Sequence, residues 1–427
     1  MYAADCEYWK LRAVVSAFSA GTCLLMYPIA RRLGASPLGA AFAALLEVFS
    51  VMHCVEGRLI LLNSQLLFWL NASLYGGLRW FSAWNDAVTG RGPPMGVQRR
   101  ALWALGVGFL GGCAFSVKHT GLATPGLIGV EAALGVWFLA QPLPLVDLVL
   151  YLVGMAASYV LWFAFHFRAF VYSHGTLKQE QEFMTEEFQK LLIGSDTYDP
   201  AARWTEGFWT TMVNFNLRMV AHSAATTQPH TWGSRYHQWI TNARGVSYWG
   251  SSMGTAEDKS SMYLIGSPIS TWAVALCMLA MPALLVAAQR TAWYKRGERT
   301  LGLPLLDTFR AGWTPRAAAA ATFCAAGWAL NLLPYVIIDR TTFAYHYLPA
   351  LIYGHLTLAL LVDAFLGDAG NLAGIAVAGA TWYYYMPWVY ALPLTEEQHA
   401  GRRYPGELLT KVMRAIAGDK GIVGDWS

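Results

Sequence analysis

Arg58, Lys118, Arg340 and His346 each stand at the edge of a long apolar stretch. Ionisable groups at membrane depth are costly, and such positions default to functional candidates. Together they would suit a phosphate or pyrophosphate whose lipid tail lies between helices. Arginine offers a bidentate fork to the oxygens and lysine a compact charge. Singly, each has a plainer reading. A cation at a helix end anchors it or snorkels, and a lone interfacial His is more often a hydrogen-bonding residue than a catalyst. The anchoring reading does not require four such residues on one face. Their spacing alone does not name the ligand.

The elements that must carry these residues are membrane spans. Of the 427 residues, 56% are hydrophobic and 13% charged, about half the charge of a soluble domain. The 19 Trp, 21 Tyr and 20 Phe suit rings placed at bilayer interfaces. A net charge of +4 argues against nucleic acid as a partner. Six scattered cysteines with no CxxC pair point to neither a metal site nor a disulfide framework. About twenty apolar residues cross a bilayer as a helix. Ten segments qualify: 11–29, 38–55, 59–78, 101–117, 122–139, 143–165, 270–288, 317–338, 347–365 and 372–392. The first reads as a true span rather than a cleaved leader, since Arg31, Arg32 and further apolar segments follow it. The fold class expected is therefore an all-α polytopic membrane protein.

Three basic connections set the orientation: Arg31 and Arg32; Arg79, Arg91, Arg99 and Arg100; and Arg290, Lys295, Arg296, Arg299, Arg310 and Arg316. The positive-inside rule puts all three on the cytoplasmic face, and ten alternating spans satisfy them together. The N-terminus, the segment between the sixth and seventh spans, the turn around Arg340 and the C-terminal tail then share the opposite face. The domains expected are an N-terminal transmembrane region (1–166), a luminal loop (167–267) with short helices on the membrane surface, a C-terminal transmembrane region (268–393) and a luminal tail (394–427).

Several motifs, in order, carry a resemblance. They are Arg58-Leu-Ile-Leu-Leu-Asn63, Ser116-Val-Lys-His-Thr-Gly-Leu122 and Phe183-Met-Thr-Glu-Glu-Phe188. Beyond them come Trp239 followed by Arg244-Gly-Val-Ser-Tyr-Trp249, then Tyr263-Leu-Ile-Gly-Ser267. The last is Leu333-Pro334 with Arg340-Thr-Thr-Phe-Ala-Tyr-His-Tyr-Leu-Pro349. The chain resembles the protein O-mannosyltransferases. That resemblance implies a GT-C glycosyltransferase fold in the endoplasmic reticulum membrane. The activity implied is transfer of mannose from dolichyl-phosphate mannose to Ser or Thr hydroxyls of secretory proteins, with inversion. The lipid-linked donor would be a substrate, with no cofactor and no metal. A homo- or heterodimer with a family member is implied as well. By position, Arg58, Lys118 and Arg340 would surround the lipid phosphate, with His346 and Tyr347 lining the same pocket. Trp239 and Arg244 would shape the luminal loop.

Three departures from the family pattern stand out. The pattern includes an additional first span and a luminal loop whose Asp is the general base, and this sequence starts at what would be the second span. Asn63 stands where the family has Asp, and an amide cannot serve as a base at neutral pH. No β-trefoil (MIR) insert interrupts the luminal loop. Glu56 and Asp339 are candidates to replace the base, with pairing to Arg58 or Arg340, or facing water, as their plainer roles. Three functions compete: the transferase, a catalytically deficient dimer partner or lipid-phosphate-binding subunit, and a transporter. The transporter would show inverted repeats, which the sequence lacks.

Overall fold

The computed structural model describes residues 7–173, 183–250, 259–294 and 313–403. Of the basic residues used above to orient the chain, Lys295, Arg296, Arg299 and Arg310 lie outside the described residues, as does the side chain of Arg290. The expected luminal tail lies outside them too from residue 404 onward.

The chain opens with α1 (Tyr8–Leu33), which Gly34 ends in a left-handed conformation, its N–H closing on the carbonyls of Ala30 and Arg31. Ser36 caps α2 (Pro37–Val48) through its hydroxyl, and α3 (Val51–Arg58) follows at a bend of 56°. The second expected span is thus a broken one. A break inside a membrane leaves backbone groups needing partners. Ser267 supplies them: its hydroxyl donates to the Phe49 carbonyl and accepts from the Val51 N–H, each at 3.1 Å. Ser267→Ala would strand both groups, at a cost of about 1–3 kcal/mol. A melting temperature several degrees lower is expected, and an unchanged one would show that the break is held elsewhere.

Helices α4 (Asn63–Val88), α5 (Val97–Val117), α6 (Ala123–Leu134) and α7 (Leu145–Ala169) complete the first half. The fifth expected span is shorter as a helix than its apolar run. Helix α6 has 12 residues, about 18 Å, against a bilayer core of about 30 Å. The chain still returns from Lys118 to the basic end, where Asp147 at the start of α7 pairs with Arg100 at 2.9 Å. Gly135 ends α6 at φ +62°. The Glu131 carboxylate then accepts from the N–H groups of Trp137, Phe138 and Leu139 at 2.7–2.9 Å, folding the chain back.

Helices α5 and α7 meet backbone to backbone. A Cβ on Gly108 would lie 2.0 Å from the Tyr151 carbonyl oxygen, and one on Gly112 would lie 2.3 Å from that of Met155. From the other side, a Cβ on Gly154 would lie 2.3 Å from the Leu105 carbonyl oxygen. Small residues four apart permit this close approach between membrane helices.

The segment up to residue 267 holds α8 (Glu186–Gln189), α9 (Gly207–Ala225) and α10 (Tyr236–Ile240). It also holds two strands that the all-helical expectation lacks, β1 (Val246–Gly250) and β2 (Lys259–Leu264), paired antiparallel. The second half contains α11 (Pro268–Tyr294), α12 (Pro315–Leu332), α13 (Pro334–Ile337) and α14 (Leu348–Tyr390). After it, β3 (Pro393–Leu394) joins the edge of β2. The last two expected spans form one helical run, broken at Gly367 (φ +59°). Before the break, His355 bonds Glu47 near the end of α2 at 2.8 Å and Asp363 holds Ser36 at its start. Beyond the break, the ring of Trp382 packs on Phe49, again at the end of α2. The run therefore doubles back at Gly367.

By length and composition, six helices among the described residues could cross a membrane, or seven with the bent pair α2–α3 counted as one span. The fold is a mostly helical polytopic membrane protein with a small sheet at one end. At the other end Arg32 lines neighbouring cavities together with Arg79, Arg91, Arg99 and Arg316, so residues of all three basic connections converge there.

Candidate functional site

The 21 residues of α5 span about 31 Å, carrying the chain from Arg99 at the basic end to Lys118 at the other. There, a cavity of about 720 Å³ lies between the end of α5, α7, α9 and the turn leading into α14. One end is polar, with Lys118, Arg340, His346 and Ser223; the other is aromatic, with Trp162, Phe163 and Phe215 among its walls. The hydroxyl of Tyr159 donates to Asn216 and the rings of Phe163 and Phe215 sit 5.6 Å apart, tying α7 to α9.

Arg340 reaches the cavity because its turn is pinned to the end of α9 and the loop beyond it. The Thr341 N–H donates to the Thr226 carbonyl at 3.1 Å, and the Thr342 hydroxyl to that of Ser234 at 2.6 Å. The Arg340 guanidinium donates through Nη1 to Ser223 at 2.5 Å, while its Nε is buried with no hydrogen-bond partner among the described residues. Buried donors are nearly always paired, so this one identifies a place where an acceptor would be well received. His346 accepts the Phe343 N–H on Nδ1 at 3.0 Å and stacks on Trp239.

Lys118, just past the end of α5, donates to Asn63 Oδ1 at 2.5 Å and lies 5.3 Å from the centre of the Tyr345 ring. Burial pushes its ammonium below the ordinary lysine value. The Glu56 charge opposes that shift and Arg340 adds to it. Tyr248, on β1, donates to Glu56; burial and that carboxylate push its phenol well above the ordinary value.

The structure therefore brings Lys118, Arg340 and His346 together, and leaves two expected partners aside. Arg58 donates to the Val389 carbonyl and stacks 4.3 Å from the Tyr390 ring, and it is not among the cavity-lining residues. Tyr347 is fully buried, accepting from Trp328 at 3.0 Å; the neighbour that lines the cavity is Tyr345. Glu56 is fully buried against Asn63 and Tyr248 rather than paired with Arg58 or turned to water. Asp339 is exposed and does not line the cavity. Arg244 donates to the Thr231 carbonyl within the loop. Sequence reasoning missed Tyr345, Ser223 and the aromatic wall from α9. An aromatic beside a conspicuous His was the one available signal.

Two family models match the chain. One, described as dolichyl-phosphate-mannose-protein mannosyltransferase, covers residues 1–171. The other, the C-terminal four TMM region of protein-O-mannosyltransferase, covers 208–405. Dolichyl-phosphate-mannose–protein mannosyltransferase 4 of Schizosaccharomyces pombe is 30% identical over 159 residues, 37% of this chain and 18% of that protein. Human protein O-mannosyl-transferase 1 is 31% identical over 164 residues, 38% of this chain and 19% of that protein. The matched segments thus span less than a fifth of these relatives. The Saccharomyces cerevisiae Pmt1–Pmt2 complex bound to the sugar donor superposes with a TM-score of 0.72, at 15% identity, over 92% of this chain and 80% of that one. At that identity the likeness speaks for the fold.

Proposed function

The chain belongs to the protein O-mannosyltransferase family, and from that premise we propose that it transfers mannose from dolichyl-phosphate mannose to Ser or Thr hydroxyls of secretory proteins. The observation that carries this reading is the two-ended cavity. Lys118 and Arg340 at its polar end match a phosphodiester, and the aromatic wall between α7 and α9 matches the first units of a polyisoprenoid tail. Cations beside the phosphate stabilise the charge that gathers on it as the glycosidic bond breaks. His346, locked through Nδ1, shapes the same end. Among the described residues no carboxylate lines the cavity, so no residue is assigned as the base. The reading extends to the endoplasmic reticulum membrane and to assembly with itself or a family member, in keeping with the heteromeric complex that shares its fold.

The test is transfer of labelled mannose from dolichyl-phosphate mannose to a Ser/Thr-rich peptide, in membranes holding this chain. Transfer is expected; absence of both transfer and donor binding would overturn the reading. Donor affinity should also depend on pH in a defined sense. The protonated Lys118 binds the phosphate, so affinity is full below its pKa and falls as pH rises through it. That fall is expected below the ordinary lysine value of about 10.4, because burial lowers this group. A flat profile up to that value would remove Lys118 from the phosphate site.

A further inference from the structure

Glu56 does not line the cavity, yet it is joined to a residue that does. Its Oε2 accepts from Asn63 Nδ2 at 2.8 Å, and Asn63 Oδ1 accepts from Lys118 Nζ at 2.5 Å. Glu56 is fully buried and Asn63 nearly so. A carboxylate only accepts and an ammonium only donates. The amide between them therefore has one workable orientation, N–H toward Glu56 and C=O toward Lys118. The chain of contacts joins the end of α3, the start of α4 and the end of α5, and Tyr248 ties it to β1.

We propose that Glu56 is a positioning residue for the phosphate-binding lysine: acting through the Asn63 amide, its charge holds the Lys118 ammonium at the polar end of the cavity. This deepens the donor-binding reading and rests on it. The groups facing Lys118 are Glu56, Arg340, Tyr345, His346 and, through Glu56, Tyr248. Arg340 disfavours a second cation there. The Glu56 carboxylate offsets it.

The test is a charge exchange along the chain of contacts, made in the whole chain in membranes: Glu56→Gln, Asn63→Asp and the two combined. In Glu56→Gln the new amide could donate to Asn63 Oδ1, turning the Asn63 side chain so that its N–H faces Lys118. Affinity for dolichyl-phosphate mannose should then fall roughly tenfold, or about 1.4 kcal/mol, and the alkaline loss of affinity should begin at a lower pH. Asn63→Asp alone sets two carboxylates against each other and should also weaken binding. In the combined variant the amide at position 56 donates to the carboxylate at position 63, which takes Lys118 directly. Affinity and pH profile should then return to within about threefold of the parent. Losses that merely add in the combined variant would overturn the proposal, as would Glu56→Gln with unchanged affinity and pH profile. If the parent chain binds no donor, the donor reading fails by itself. The melting temperatures of the same three variants then decide: rescue in the combined variant supports the chain of contacts, and additive losses overturn it.

Discussion

Arg340→Ala is expected to lower affinity for dolichyl-phosphate mannose by about two orders of magnitude while the protein stays folded. The guanidinium sits at the polar end of the cavity with Nη1 on Ser223 and Nε buried without a partner among the described residues. A charge-assisted hydrogen bond contributes about 1.5–3 kcal/mol, and a fork making two such bonds to a phosphate accounts for roughly a hundredfold in affinity. Removing the side chain gives up its hydrogen bond to Ser223. The turn keeps its backbone and threonine bonds to Thr226 and Ser234, so the melting temperature should move little. Arg340→Lys should recover only part of the affinity, because a point charge cannot reproduce the fork. Equilibrium donor binding in lipid nanodiscs measures both, and wild-type affinity in a folded Arg340→Ala protein would remove this residue from the phosphate site.

The largest effect on folding is expected from Gly108→Leu. The first carbon of any side chain there would meet the Tyr151 carbonyl at 2.0 Å and the Met155 backbone nitrogen at 3.2 Å. Neither can swing aside as a side-chain tip could, so α5 and α7 would have to separate. Overpacking of this kind costs about 1–3 kcal/mol where side chains can give, and more is expected against backbone. Little detergent-stable protein should be recovered. Gly106→Ala is the control on the same helix, since no described atom beyond its chain neighbours and its own helix backbone lies within 4 Å of the added carbon. It should leave stability unchanged or raise it by up to about 1 kcal/mol through helix propensity. Equal yields from both variants would show that the helices are not held in backbone contact.

The legibility of the fold followed how local its causes are. Uninterrupted apolar runs marked α1, α5, α7, α11 and α12, because span length is written in consecutive residues. The break between α2 and α3 was hidden in a run that reads as continuous, since the residue satisfying it, Ser267, lies more than two hundred positions away. The shortness of α6 depends on Glu131 catching backbone beyond Gly135, a signal that resembles any buried acid. In the site, Lys118, Arg340 and His346 were legible as cations and an imidazole beside apolar segments. Arg58 has the same local signature, but its guanidinium is taken up by the end of α14. Tyr347 went astray by two positions: the tight turn at Ala344–Tyr347 sends Tyr345 to the cavity and Tyr347 to Trp328. Helix α9 has no marker as a cavity wall, because only its packing on α7 makes it one.

The seam of glycines between α5 and α7 bears on how a ligand would be received. Two backbones in direct contact have no rotamers to freeze, so the placement of α5 against α7 is set without ordering any side chain at the seam. Beyond the seam the same two helices carry Phe115, Tyr159 and Phe163 to the cavity. Discrimination among lipid tails would then rest on how those side chains repack on two helices of fixed spacing, rather than on a change in that spacing.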